Sequence, residues 1–133
     1  MRSRELIRQI QASMSLLIES SDELRDLDQV LGDGDLGITI SAGARAVIDA
    51  LDAMPTEPEP VPSDVARTCA RAFANANPST MAALVAGGLL AGSKVWVGCE
   101  DVTAAEAEAF IRAAANSISH RGKSQVGDKT ILD

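Results

Sequence analysis

Apolar side chains return every three or four residues over most of the chain and never alternate over a useful length, so the pattern is helical. Between residues 3 and 20, Ile7, Ile10, Met14, Leu17 and Ile18 form one apolar stripe. Ser21 and Asp22 then offer an N-cap to a short second helix carrying Leu24, Leu27 and Val30, which Gly32 stops. A third helix is predicted from near Leu36 to about Leu51, with Ile40, Ala44, Val47, Ile48 and Leu51 on its buried side. Residues 54–62, MPTEPEPVP, are too rich in proline to continue it and read as a solvated connector. Ser63 and Asp64 are placed to cap a fourth helix bearing Val65, Cys69, Ala72 and Phe73, which Asn77-Pro78 breaks. Pro78 suits the first position of a fifth helix, which carries the most apolar stretch, residues 81–97. That stretch is small on nearly every side, which places it centrally. Thr103 and Glu106 have capping-box spacing and open a sixth helix to about Ile118, followed by a polar, glycine-bearing loop over 119–129. The predicted fold is all-α, an antiparallel up-and-down bundle of about six helices.

Composition narrows the function. At 133 residues and 46% apolar, the chain has material for one domain with a real core, and it is not disordered by composition. No apolar run is long enough for a membrane span, and the polar N-terminus lacks the apolar region of a signal peptide. Net charge −7 has the wrong sign for nucleic acid or an anionic membrane. The few aromatics, Phe73, Phe110 and Trp96, make no stacking platform. Cys69 and Cys99 form no metal pattern and read as buried free thiols of a reducing compartment. These features describe a single-domain cytoplasmic protein.

One stretch departs from a generic bundle: Asp28, then Gly32-Asp33-Gly34-Asp35, then Gly37, all at a helix-to-helix junction. At an effective dielectric near 20, two like charges ~4 Å apart repel by about 4 kcal/mol. A hard divalent cation removes that penalty, and Mg²⁺ takes carboxylate oxygens while keeping positions for water or phosphate. Asp28, one turn before the loop, is placed to supply a third ligand. The glycines let backbone approach a phosphate, and the helix that follows aims its first amides at an anion. The same residues also make an ordinary solvated turn, and spacing alone leaves both readings open. A calcium loop fails, because Gly37 stands where a third oxygen ligand belongs and no glutamate closes the site. A dinucleotide fingerprint fails because no strand precedes the glycines. Asn77-Pro78-Ser79-Thr80 offers hydroxyls and amides at a helix start, suited to phosphate or to ordinary capping. Arg121-Gly122-Lys123 and Gly127-Asp128-Lys129-Thr130 form a basic loop, with His120, the sole histidine, beside it.

Asp28…Gly32-Asp33-Gly34-Asp35-x-Gly37, Ser79, and Arg121-Gly122-Lys123…Gly127-Asp128-Lys129-Thr130-Ile131-x-Asp133 together resemble the nucleotide-binding subunit of dihydroxyacetone kinase, the DhaL or DAK2-domain family. The resemblance covers essentially the whole chain, residues 1–133. It implies an antiparallel barrel of eight helices, of which about six are present, so the domain lacks its C-terminal part. It implies that Asp28, Asp33 and Asp35 hold two Mg²⁺ ions bridging the phosphates of ADP or ATP. Leu36, Gly37, Ile38, Thr39, Pro78, Ser79, Gly122 and Ile131 would line the nucleotide, and no side chain is assigned a catalytic role. The acceptor would be a short ketose on a separate DhaK-like subunit. The donor would be ATP, or an ADP recharged by a phosphotransferase-system phosphocarrier. Leu36 stands where the family often has His or Thr, Thr39 where Asn is common, and Asn77-Pro78-Ser79-Thr80 replaces a glycine-rich segment. A short chain implies inactivity in isolation, or self-association through an uncovered apolar face. A non-catalytic binding or regulatory module is the alternative function.

Overall fold

The computed structural model describes residues 1–30 and 35–123, and the helical periodicity becomes six helices among them. They are α1 (Ser3–Glu19), α2 (Ser21–Gln29), α3 (Leu36–Asp52), α4 (Pro62–Ala76), α5 (Thr80–Val95) and α6 (Ala104–Gly122). No strand occurs among the described residues, so the all-α, up-and-down expectation holds. No helix among them is long and apolar enough to cross a membrane.

Neighbours in space are α1 with α3, α3 with α4, α4 with α5 and α5 with α6, while α2 lies against the start of α3. The row bends so that one side of each long helix faces a shared apolar interior. Leu6, Val47, Leu51, Val65, Ala66, Cys69, Phe73, Ala82, Trp96 and Val102 are its buried centre. Each large aliphatic or aromatic side chain removed from water there contributes about 1.5–3 kcal/mol. Small residues set how closely the helices approach. Gly43 of α3 lies under the Phe73 ring of α4, and a Cβ at Gly92 of α5 would sit 2.5 Å from the Phe110 ring. Phe110 in turn stacks on Trp96 with ring centroids 4.4 Å apart, and the Trp96 indole N–H donates to the Glu106 carbonyl at 2.9 Å.

The antiparallel course gives the bundle two distinct ends. At one, the α-amino group of Met1 donates to the Asp101 carboxylate and to the Val102 carbonyl, joining α1 to the α5–α6 loop. Arg2 and Arg4 pair with Glu59 and Glu57 of the proline-rich connector at that same end. The opposite end gathers α2, the start of α3, the α4–α5 junction and the finish of α6.

Several boundaries differ from the sequence expectation. Pro62 itself occupies the first turn of α4, with Val61 as its N-cap and no side-chain cap from Ser63 or Asp64. Proline fits there because its missing N–H would have no partner anyway. Pro78 is not the first residue of α5. Ser79 is the N-cap and its Oγ accepts from the Ala82 amide at 3.1 Å, a bond that fixes the first helical residue at Thr80, two residues later. Helix α6 continues past Ile118 through His120, Arg121 and Gly122, so the polar loop begins later than expected. Basic side chains are favourable in a last turn, and Lys123 stops the helix at φ 54° in the left-handed region. Cys99 is half-buried, not buried, with its thiol donating to the Asp101 carbonyl at 3.2 Å.

Candidate functional site

Helix α2 is too short to hold together by itself and is positioned by α3. Its contact side is mixed, with half-buried Leu24 among polar residues. A Cβ at Gly37 would collide with the Ser21 carbonyl oxygen and lie 3.2 Å from the Arg25 Cβ, so the absent side chain is what lets the two helices touch. One turn further along, an Asp28 carboxylate oxygen accepts from the Leu36 amide at 3.3 Å. That amide is the peptide link between Asp35 and Leu36. The carboxylate of Asp28 therefore stands directly beside the backbone of Asp35, which occupies the N-cap position of α3. Asp33, the third expected metal ligand, lies outside the described residues. Among the described residues no group of three His, Cys, Asp or Glu side chains is gathered for a metal.

The four positions at the start of α3 have different environments. Gly37 and Thr39 are buried, Leu36 is half-buried and Ile38 is 69% exposed. By helix geometry the amides of Gly37 and Ile38 have no intrahelical acceptor, and the dipole puts partial positive charge at this end. The Thr39 carbonyl accepts from the Asn77 side-chain amide at 2.9 Å, which ties the first turn of α3 to the α4–α5 junction. Asn77 is extended, as a residue before proline prefers, and this delivers Pro78 and Ser79 to the same end as Asp28 and Asp35. Gly122, the last residue of α6, comes to that end one residue after Arg121, whose guanidinium lies against Gly87 of α5. Ile131 and the Gly127-Asp128-Lys129-Thr130 motif lie outside the described residues.

Two arrangements were not evident from the sequence. Asn77 acts as a brace, where its only legible signal was that it precedes a proline. Arg121 lies across α5, with its Nη1 3.0 Å from where a Cβ of Gly87 would be. A cleft of about 390 Å³ opens beside the first turn of α3, walled by Ser21 and Arg25 of α2 and by Gly37, Ile38, Ser41 and Arg45 of α3. Its chemistry is mixed: Arg25 is held by Asp22 at 3.6 Å and Asp26 at 3.4 Å.

Among the described residues the candidate metal donors at this end are the carboxylates of Asp28 and Asp35, with backbone amides of α3, the Ser79 hydroxyl and the side chains of Arg25 and Arg121 at the same end. Oxygen-only donors suit a hard cation such as Mg²⁺, and amides at two helix starts suit an anion beside it. The DAK2 domain matches residues 30–133. The chain is 34% identical over 116 residues to the protein named PEP-dependent dihydroxyacetone kinase 1, ADP-binding subunit DhaL, of Listeria innocua serovar 6a. That alignment takes in 86% of this chain and 56% of the Listeria protein, so the chain spans about half the length of this curated relative.

Proposed function

The chain belongs to the DAK2-domain family, and from that premise we propose that it is the Mg²⁺·nucleotide-binding component of a dihydroxyacetone-type kinase. The observation that carries the reading is the hydrogen bond from the Leu36 amide to Asp28. It draws one carboxylate of the expected metal set against the backbone of another, at the mouth of a helix whose first amides face the same end.

In this reading Asp28, Asp33 and Asp35 hold the metal, and two ions are the family expectation. Bound Mg²⁺ supplies charge neutralisation on the nucleotide phosphates. The chain's own residues orient the ligand. Amides of Gly37 and Ile38 donate to phosphate oxygens, Thr39 is fixed by Asn77, and Ser79 holds the start of α5 in shape. Pro78, Gly122 and Ile131 line the nucleotide. No side chain is assigned the role of general base in this reading, and catalysis is chiefly placement and electrostatics, as phosphoryl transfer requires. The acceptor is a short ketose presented by a separate subunit. The name of the Listeria relative, PEP-dependent and ADP-binding, supports a resident ADP recharged by a phosphocarrier over ATP taken up afresh.

A ligand that binds only the folded chain raises stability by RT ln(1 + [L]/Kd), about 2.7 kcal/mol at a hundredfold excess over Kd. Mg²⁺·ADP is expected to raise the melting temperature of the wild-type chain, with little shift for Asp28→Asn or Asp33→Asn. Equal shifts in wild type and both variants would sink the reading. In a coupled assay with ATP, Mg²⁺ and dihydroxyacetone, the chain alone is expected to be inactive. Turnover is expected only when a ketose-binding subunit and a phosphocarrier recharged by phosphoenolpyruvate are both present.

A further inference from the structure

Helix α2 meets α3 along a mixed side, with half-buried Leu24 among polar residues, and leaves its other apolar residue, Leu27, outside. Ser21, Arg25 and Asp28, spaced four and three residues apart, meet the start of α3. No residue of α2 is buried. Leu27 is 63% exposed and Val30, just past its end, is 76% exposed. Apolar side chains placed this way gain nothing from the chain's own core and stabilise only when something else covers them. Their surroundings are strongly acidic: residues 19–28 contain Glu19, Asp22, Glu23, Asp26 and Asp28 against the single basic residue Arg25. Arg25 is itself shared between Asp22 and Asp26, so Glu19 and Glu23 have no basic partner in the segment.

We propose that the outer face of α2 is a docking surface for a protein partner whose contact patch is apolar at its centre and ringed by lysine or arginine. The partner is the subunit that presents the phosphoryl acceptor, an assignment that rests on the function proposed above. Three considerations select this occupant. A second copy of the chain would meet this face with the same face in a two-fold dimer, setting like charges against like. Nucleic acid and anionic membrane are refused by the same carboxylates. Asp28 lies in the last turn of α2, so a body seated on Leu27 and Val30 stands next to the metal end. There it would exclude water from the transferring phosphate.

The test measures binding of the purified chain, loaded with Mg²⁺·ADP, to the ketose-binding subunit of the same organism. Wild type is expected to bind, with affinity falling as salt rises because screening weakens charge steering. The double variant Leu27→Asp/Val30→Asp is expected to lose at least tenfold in affinity. Glu23→Lys, a single exposed change that leaves the fold untouched, is expected to slow association severalfold. All variants should keep the wild-type thermal shift with Mg²⁺·ADP. Wild-type affinity in the double variant, or no binding by wild type, overturns the docking surface. So does a double variant whose only effect is to dissolve self-association of the chain seen by sedimentation. A missing Mg²⁺·ADP shift in wild type instead marks failure of the functional reading, and is read separately from the partner affinities.

Discussion

Two glycines separate the local demands of the site from those of the fold. At Gly37 the neighbour is backbone, the Ser21 carbonyl, with the Arg25 Cβ behind it at 3.2 Å. Neither can rotate away, so Gly37→Ala must push α2 off α3 and draw Asp28 from the Leu36 amide. The expected outcome is loss of most of the Mg²⁺·ADP shift together with a melting temperature lower by several degrees. At Gly98, φ is +83° and no atom lies within 4 Å of a would-be Cβ. Gly98→Ala therefore costs only left-handed strain, about 1–2 kcal/mol, and leaves nucleotide binding intact. Calorimetry with and without nucleotide distinguishes the two. The thiols give a second contrast. Burial pushes the Cys69 thiol up from 9.0 to about 12, while Cys99 is half-buried. A disulfide reagent at pH 8 is expected to label Cys99 in the native chain and Cys69 only after unfolding. Because the folded thiol holds its proton more tightly, its stabilising effect is fully present below pH 9.0 and is lost as pH rises toward about 12. Cys69→Ala should remove that alkaline slope in a series of melting curves.

Elements follow the same logic one level up: period announces a helix, but not what its stripe will meet. The stripes of α1 and α3 were legible because Ile7, Ile10 and Met14 pack against the core and Val47 and Leu51 lie in it, although Leu6, the buried apolar residue of α1, stands beside the expected stripe and not in it. The stripe of α2 was equally legible, and nothing in the spacing of Leu24, Leu27 and Val30 says that Leu24 is half-buried while Leu27 and Val30 turn outward, since that is decided by how closely Gly37 lets α2 approach. Proline and serine near helix starts were seen as signals, but the start of α5 was assigned two residues too early. The choice between Pro78 and Ser79 rests on a hydrogen bond to Ala82 that only three-dimensional placement reveals. The aspartate–glycine junction was legible as chemistry from crowding alone, whereas Asn77 bracing Thr39 joins residues 38 apart and has no local signature. Two outcomes belong to this scale. Ser79→Ala removes a cap and is expected to cost about 1 kcal/mol, read as a lower denaturant midpoint with unchanged slope. In native-state hydrogen exchange, amides of α2 are expected to exchange first among the six described helices, because at nine residues it is the shortest and it buries no residue. Exchange of α2 as slow as that of α4 would contradict its peripheral attachment.

For the molecule as a whole, the bend in the helix row leaves a hollow where five helices face one another. Its volume is about 440 Å³, and it is lined by apolar side chains from α1 (Ile10, Met14), α3 (Ile40, Val47), α4 (Phe73), α5 (Val85, Leu89) and α6 (Phe110), among others. An apolar cavity of about 150 Å³ in other proteins stays dry and admits small apolar molecules, so this larger one has the same capacity. The small residues of α5 contribute to it indirectly. Gly88 and Gly92 draw α6 close along one side of α5, while Val85 and Leu89 leave room on the side that faces α1. An apolar fluorescent probe such as ANS is expected to bind the native chain, with emission that does not require partial unfolding. Val85→Phe adds bulk from the wall of the hollow inward. In a filled core such a change typically costs 1–3 kcal/mol through overpacking, but here it meets empty space and restores lost dispersion contacts. Probe binding should therefore fall while the melting temperature holds or rises. A drop of several degrees on that substitution, with probe binding unchanged, would mean that the five helices close on one another in solution and that no hollow lies between them.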